Sequence, residues 1–282
     1  MLSLEISLIG SACGKNPYEP RNKTIFTQLC KTSPLRYKNL LIEQGIIVKT
    51  QNNSKEKEFE AIYKKYKTDI TSPKEFEKLE TKIIEEFKLK EPEEDTKNLI
   101  NNLRSNMKKD CGTNNEKKVI EKKKFKKGNN ILWIYKDFKG WELKGFHDAT
   151  DDEIVIEVKT RMRKNTVRKN KYDLYQLFGY LLAMNKTKGK IIQVFDKEIF
   201  DSDIETDCEY GIIDITTERY SKEFNTFKLE LNNFFDEITY YYYNDFNINL
   251  VFGKLTTPIA EYNEKGVFNI LDGYEKIVKL IM

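Results

Sequence analysis

Seven residues, Glu153-Ile154-Val155-Ile156-Glu157-Val158-Lys159, constrain the fold of this chain more than any other stretch. Successive side chains on a β-strand point to opposite faces, so residues i and i+2 lie together. Ile154, Ile156 and Val158 then make one apolar face, and Val155, Glu157 and Lys159 make the other. A buried strand rarely carries an acid and a lysine on one face without a use for them. Separated from Glu157 by eight residues, the segment Gly145-Phe146-His147-Asp148 places a second acid at the predicted end of the preceding strand. Two carboxylates converging with a lysine can hold a hard cation and a water beside a phosphodiester. The same pattern also suits a solvated strand end with a salt bridge, because a chain with 33% charged residues produces it by chance.

The surrounding pattern is α/β. Ile131 to Tyr135 and Trp141 to His147 predict two strands joined by a Lys-Gly turn, and the 153–159 strand follows after Asp151-Asp152. Lys171 to Asn185 predicts a helix on which Gln176 and Tyr180, four apart, share a face. Gly189 to Phe195 predicts a further strand, and Gly211 to Ile215 another. A long helix is expected over about 219–243, ending in Tyr240 to Tyr243, and a closing helix over about 264–281. Towards the N-terminus, residues 1–48 predict a short strand or turn followed by helices, and residues 55–109 predict three helices. The first starts near Ser54, the second after Ser72-Pro73 and the third near Glu91-Pro92. A loop is expected over Asp110 to Asn115, with residues 117–127 leading into the sheet.

At Asp148, Glu157 and Lys159 the chain resembles the PD-(D/E)xK nuclease superfamily, and Gly145 and the Gln176/Tyr180 helix match its RecB and lambda-exonuclease branches. Two further segments are similar to the YqaJ-like viral recombinases, the lambda-type exonucleases: Ile9 to Tyr18, and Ser54 to Ala61, where serine stands in place of the family's glycine. The resemblance implies a restriction-endonuclease-like core, a mixed central sheet flanked by helices, with helical N- and C-terminal additions. In that reading a single nuclease domain covers residues 1–282, with a helical part to about 116, a catalytic core over about 117–217 and a helical part beyond about 218. It implies Mg²⁺, or Mn²⁺ in its place, bound by Asp148, Glu157, the Val158 carbonyl and Glu58, with Glu56 and Glu60 as alternatives to Glu58. Lys159 would orient or deprotonate the attacking water, and Gln176 and Tyr180 would position the nucleophile or a phosphate. The implied activity is 5′-to-3′ digestion of duplex DNA from a free end in viral recombination, replication or repair. Implied partners are that duplex, a single-strand annealing protein and further copies of the chain. A structure-specific or restriction-like endonuclease on the same core, and an inactive nucleic-acid-binding module, stay open beside it.

Composition narrows the chemistry further. The single histidine, His147, excludes a His-clustered metal site and argues against a Ser–His or Cys–His hydrolase. Beside Asp148, it is expected to face away from the acid in a structural role. The four cysteines, Cys13, Cys30, Cys111 and Cys208, lack zinc-pair spacing and predict reduced thiols in an intracellular protein, cytoplasmic or nuclear. No run is long enough to span a bilayer, and Glu5 argues against a secretory leader. Gly10 to Asn16 suggests a phosphate loop, but it has three residues between its glycines and Asn16 after Lys15, so ATP binding there is rejected. Ser11 or Lys15 could still touch a nucleic-acid phosphate.

The net charge of +4 is unevenly spread. Lys117 to Lys127 holds one basic cluster, expected to be a solvated face. Arg161, Arg163, Lys164, Arg168, Lys169 and Lys171 form another beside the proposed site. Arg161, Arg163, Arg168 and Lys169 are therefore candidate phosphate contacts, giving salt-sensitive binding without base specificity.

Overall fold

The alternation of residues 153–159 does produce a strand, and its two faces divide by chemistry. The structure, a computed structural model, describes residues 2–49, 72–86, 94–134, 141–207, 209–252, 260–262, 268–270 and 281. It begins with β1 (Leu2–Glu5), a 3-10 turn (Ile6–Leu8), α1 (Ile9–Ala12), α2 (Arg21–Thr32), α3 (Pro34–Glu43) and β2 (Ile47–Lys49). Next come α4 (Pro73–Glu86), α5 (Glu94–Lys123), β3 (Lys126–Lys127), β4 (Asn130–Ile134), β5 (Trp141–Phe146), β6 (Ala149–Asp151) and β7 (Ile154–Thr160). Then follow α6 (Lys171–Met184), β8 (Lys188–Phe195), β9 (Glu198–Phe200), β10 (Ile213–Asp214) and α7 (Glu218–Tyr243). The last elements are α8 (Asn249–Phe252), β11 (Ala260–Tyr262) and β12 (Phe268–Ile270). By its internal contacts the chain divides into two units, Met1–Ile25 with Gly112–Phe246 and Phe26–Cys111 with Asn247–Met282.

The first unit holds mixed sheets flanked by helices. One sheet runs β10-β8-β7-β6-β3, with β9 added on β8. Within it β7 and β8 are parallel, and the other pairs are antiparallel. A parallel pair needs a crossover connection, and α6 supplies it. The tight β6–β7 turn carries Asp152 at φ 50°, a left-handed conformation that Asp tolerates better than most residues. A second sheet joins β1, parallel, and β4, antiparallel, to β5.

Each face of β7 has its own cover. Ile156 and Val158 pack with Ala149, Ile192 and Val194 beneath Val119 and Ile120 from the end of α5. On the opposite face, α6 lies against β7 and β8. It is itself buried nearly all round, so its sequence shows little of a polar face. Aromatic rings of α7 close over it: Phe178 meets Phe224 at 5.3 Å, and Tyr175 meets Phe227 at 5.4 Å. Trp141 stacks on Phe235 at 4.3 Å. Burying each such side chain contributes roughly 1.5–3 kcal/mol, which offsets the cost of burying the polar groups between β7 and α6.

In the second unit, Ser72 caps α4. Its hydroxyl accepts from the Glu75 amide at 3.3 Å, and the Glu75 carboxylate accepts from the Ser72 amide at 3.1 Å, with Pro73 at the first helical position as its sequence predicts. Phe26 packs edge-on to Tyr37 and Phe252. β11 pairs with β2 in parallel and with β12 antiparallel.

Several expectations change. The loop expected over Asp110 to Asn115 is part of the continuous helix α5, as are residues 117–123, and the sheet lead-in expected over 117–127 is confined to its end, Lys126–Lys127 in β3. Met107, Cys111, Asn115 and Val119 are buried at four-residue spacing, and that stripe outweighs the roughly 1 kcal/mol cost of Gly112 in a helix. The closing helix over about 264–281 does not form across Phe268–Ile270, whose backbone groups are satisfied in the pair with β11 instead. The short strand expected near the N-terminus is Leu2–Glu5, and the strand expected over Gly211 to Ile215 shortens to Ile213–Asp214. The helix start near Ser54 lies outside the described residues.

The turn before β4 is held beside the acid. The Gly128 amide donates to the Asp148 carbonyl at 2.9 Å, and a Cβ on Gly128 would fall 1.7 Å from the His147 carbonyl oxygen. Gly128→Ala is therefore expected to cost about 2 kcal/mol or more, as an overpacked interior does. Urea denaturation checks this; a midpoint equal to the wild type would show that the two turns move apart at little cost.

Candidate active site

β7 and α6 meet along matching rows of side chains. Strand alternation puts Glu157 and Lys159 on the α6 side of β7, and helical spacing puts Gln176 and Tyr180 on one side of α6. The Lys159 ammonium donates to Glu157 Oε1 at 2.7 Å and to Gln176 Oε1 at 2.8 Å. Gln176 Nε2 donates to the same Glu157 oxygen at 2.7 Å. Three side chains predicted from sequence thus close into one hydrogen-bonded ring. Glu157 Oε2 is buried and has no hydrogen-bond partner among the described residues. Asp148, between β5 and β6, accepts from the Val158 amide through Oδ2 at 2.6 Å, which brings it to the same stretch of β7.

The electrostatics follow from burial. Glu157 is 2% exposed, and burial with the nearby charge of Asp148 raises its carboxyl above the ordinary range, Lys159 opposing the rise. Burial, joined by the charge of Glu116, pushes Asp148 up to about 7. For Lys159, burial disfavours the ammonium, but Glu157, Asp173 and Asp148 outweigh it and hold it protonated above the usual lysine range. Lys159 is thus a cationic donor rather than a ready base.

Tyr180 stands beside Gln176 and the acids, as expected, and has a further partner in the backbone. Its ring is buried, and its hydroxyl donates to the Phe146 carbonyl at 2.8 Å, fixing the strand end that leads to Asp148. Burial and the charge of Glu157 hold the phenol well above its usual range. Its contacts therefore suit holding the backbone rather than a nucleophile or phosphate. Gly145 makes room for it: a Cβ there would stand 3.2 Å from both Tyr180 Cε1 and Ile6 Cβ. His147 is buried, with Nδ1 3.1 Å from the Asn129 carbonyl, in the structural role expected of it.

The predicted phosphate contacts separate into two groups. Arg163 and Arg168 are exposed. Lys169 is ion-paired with Glu205, and Lys15 with Glu230 at 2.7 Å. Ser11 is buried and accepts from Asn16 Nδ2 at 3.0 Å, so it is not presented to a ligand. Arg161 is buried too, its guanidinium spent on Gln193, Tyr172 and Asp173, and a phosphate contact is not what its surroundings suit. Glu58, with Glu56 and Glu60, lies outside the described residues.

The structure adds a carboxylate that the sequence reading missed. Glu116 of α5 is half-buried, and burial with the charge of Glu157 raises its carboxyl. Its own charge is felt at Asp148. Glu116 adjoins the buried four-residue stripe that contains Asn115 and Val119, and its place follows from the continuity of α5 through Gly112. Among the described residues no three His, Cys, Asp or Glu side chains form a ready-made metal cluster. The donor set still fits a hard cation: the oxygens are carboxylates, one of them is buried without a partner among the described residues, and the like charges raise one another's carboxyls.

The chain matches no protein-family model and no curated protein. Among solved structures it is similar to the crystal structure of SSO0001, with 16% identity over 62% of this chain and 87% of that one and a TM-score of 0.31.

The raised carboxyls set a pH dependence with a definite sign. Unfolded, Asp148 loses its proton near pH 4, whereas folded it keeps it to about 7, and Glu157 shifts the same way. The folded state thus binds more protons across that window, so stability falls as pH rises through it. With EDTA present, the melting temperature of the wild type is expected to drop between about pH 5 and about pH 8 more than that of Glu157→Gln. Parallel curves for the two proteins would refute the burial-driven shift.

Proposed function

We propose that this chain is a metal-dependent nuclease that hydrolyses phosphodiester bonds in DNA, acting as a lambda-type exonuclease on duplex ends. The observation that carries the reading is the closed Glu157–Lys159–Gln176 ring, beside Asp148, with a buried Glu157 oxygen that has no partner among the described residues. Salt-bridged strand ends are ordinarily solvated. Here the acid is buried and, among the described residues, one of its oxygens has no donor, an arrangement whose chemistry fits a hard cation. The restriction-endonuclease-like core and the exonuclease mode come from the sequence resemblance.

Asp148, Glu157 and the Val158 carbonyl would hold Mg²⁺ or Mn²⁺, with Glu116 the described carboxylate best placed by charge to assist in the part expected of Glu58. The ion, when bound, supplies positive charge to a phosphoryl oxygen and lowers the pKa of a coordinated water. Gln176 and Lys159 occupy Glu157 Oε1 and leave Oε2 for the ion. The Lys159 ammonium, protonated and fixed at two points, orients the attacking water and offsets charge that builds on the phosphoryl oxygens. Water's oxygen bonds to phosphorus as one P–O ester bond breaks, the water gives up one proton to solvent, and the leaving oxygen takes one from solvent. Arg163 and Arg168, exposed beyond the end of β7, would neutralise phosphates of the bound strand.

Digestion of end-labelled linear duplex and closed circular DNA, with Mg²⁺ and with EDTA, tests the reading. Mg²⁺-dependent loss of linear DNA is expected. Glu157→Ala and Lys159→Ala are expected to lower the rate by roughly 1,000-fold while duplex affinity is retained. Cutting of the circle would move the assignment to an endonuclease, and binding without cleavage under either ion would leave a nucleic-acid-binding module. Arg163→Ala is expected to weaken duplex binding most at low salt and to flatten its salt dependence by about one charge. An unchanged slope would remove Arg163 from the interface.

A further inference from the structure

Arg161 continues the row that Glu157 and Lys159 begin on β7, since residues i, i+2 and i+4 share a strand face. Asp173 stands three residues before Gln176 on α6, so it heads the row of Gln176 and Tyr180. The two rows pair in opposite directions: Arg161 with Asp173, Lys159 and Glu157 with Gln176, and the end of β5 with Tyr180. Rows step by about 6.6 Å along a strand and by about 4.5–6 Å along a helix. Their register is therefore determined by where the first pair engages.

That first pair is buried and joins three elements. Arg161 Nη2 donates to Asp173 Oδ2 at 2.5 Å, Nη1 to the Tyr172 hydroxyl at 3.2 Å, and Nε to Gln193 Oε1 of β8 at 2.7 Å. Its backbone amide donates to the Val194 carbonyl at 2.7 Å. Asp173 is fully buried, Gln193 is 2% exposed and Arg161 is 7% exposed. A planar guanidinium reaches three acceptors in fixed directions, which the single ammonium of lysine does not. A buried ion pair adds little net stability over apolar residues of equal volume, so its effect falls on which packing is selected.

We propose that Arg161, through Asp173, is the positioning residue that sets the height and rotation of α6 and so delivers Gln176 to Glu157 and Lys159. As a contribution to catalysis this rests on the nuclease reading of the site; as a statement about Gln176 it does not. Arg161 itself touches none of the reacting groups.

The test follows the Gln176 side-chain amide by ¹⁵N NMR, its signals identified by their loss in Gln176→Ala, in Arg161→Lys and Asp173→Asn. Both variants are expected to shift those signals and to speed their exchange with solvent. Single-turnover cleavage is expected to slow roughly 100-fold, as for an ångström-scale misplacement, with duplex affinity within about twofold of wild type. In a Gln176→Ala background, Arg161→Lys is expected to slow cleavage by less than about threefold further, because the two act through one contact. If Arg161→Lys fails to fold, Asp173→Asn carries the same readouts. An unmoved Gln176 amide in a folded variant, or full additivity with Gln176→Ala, would overturn the proposal. A wild type that cleaves nothing would sink the nuclease reading instead, and the amide signals would still decide the clamp.

Discussion

A carboxylate sealed inside a sheet is the condition around which this molecule is arranged. Glu157 is 2% exposed, and an ionised carboxylate in such a place is tolerated only with donors and a countercharge at hand. Lys159 supplies the charge and Gln176 a second donor, both at Oε1. Among the described residues the compensation is incomplete, since Oε2 has no partner there and Asp148 and Glu116 add like charge nearby. Incomplete compensation distinguishes this cluster from an ordinary internal salt bridge.

Keeping that arrangement together is the work of groups with no evident chemistry of their own. Tyr180 fastens the end of β5, Gly145 leaves the volume that Tyr180 fills, and Gly128 lets a second turn reach the Asp148 carbonyl. The aromatic contacts of α7 press α6 onto the sheet, while polar pairs between α6 and β7 select its register. Apolar packing is strong but indifferent to small sliding, and buried hydrogen bonds are directional. The division of labour follows from that difference.

How much of this was legible in the residues varies with the range of the interaction responsible. The strand, its two faces, and the shared face of Gln176 and Tyr180 depend on periods of two and 3.6 residues, and all were read directly. Gly112 concealed the continuity of α5, because a local breaker was weighed without the buried stripe that overrides it. The place of Glu116 depends on the same continuity. Arg161 looked like its exposed neighbours Arg163 and Arg168, since a run of basic residues does not reveal which of them meets Asp173. Tyr180 was placed on the correct helix face, but its carbonyl partner lies 34 residues away in the chain.

By itself the sequence determined the alternating strand, the helix that follows it and the acid–lysine pair between them, since each arises from backbone geometry within a few residues. Tertiary structure alone decided which charges are buried, which oxygen of Glu157 the neighbouring donors occupy, that Glu116 adds its charge to the two acids, and that Arg161 faces inward. Those outcomes depend on desolvation and on Coulomb interactions between residues distant in the chain, and both are properties of the assembled packing.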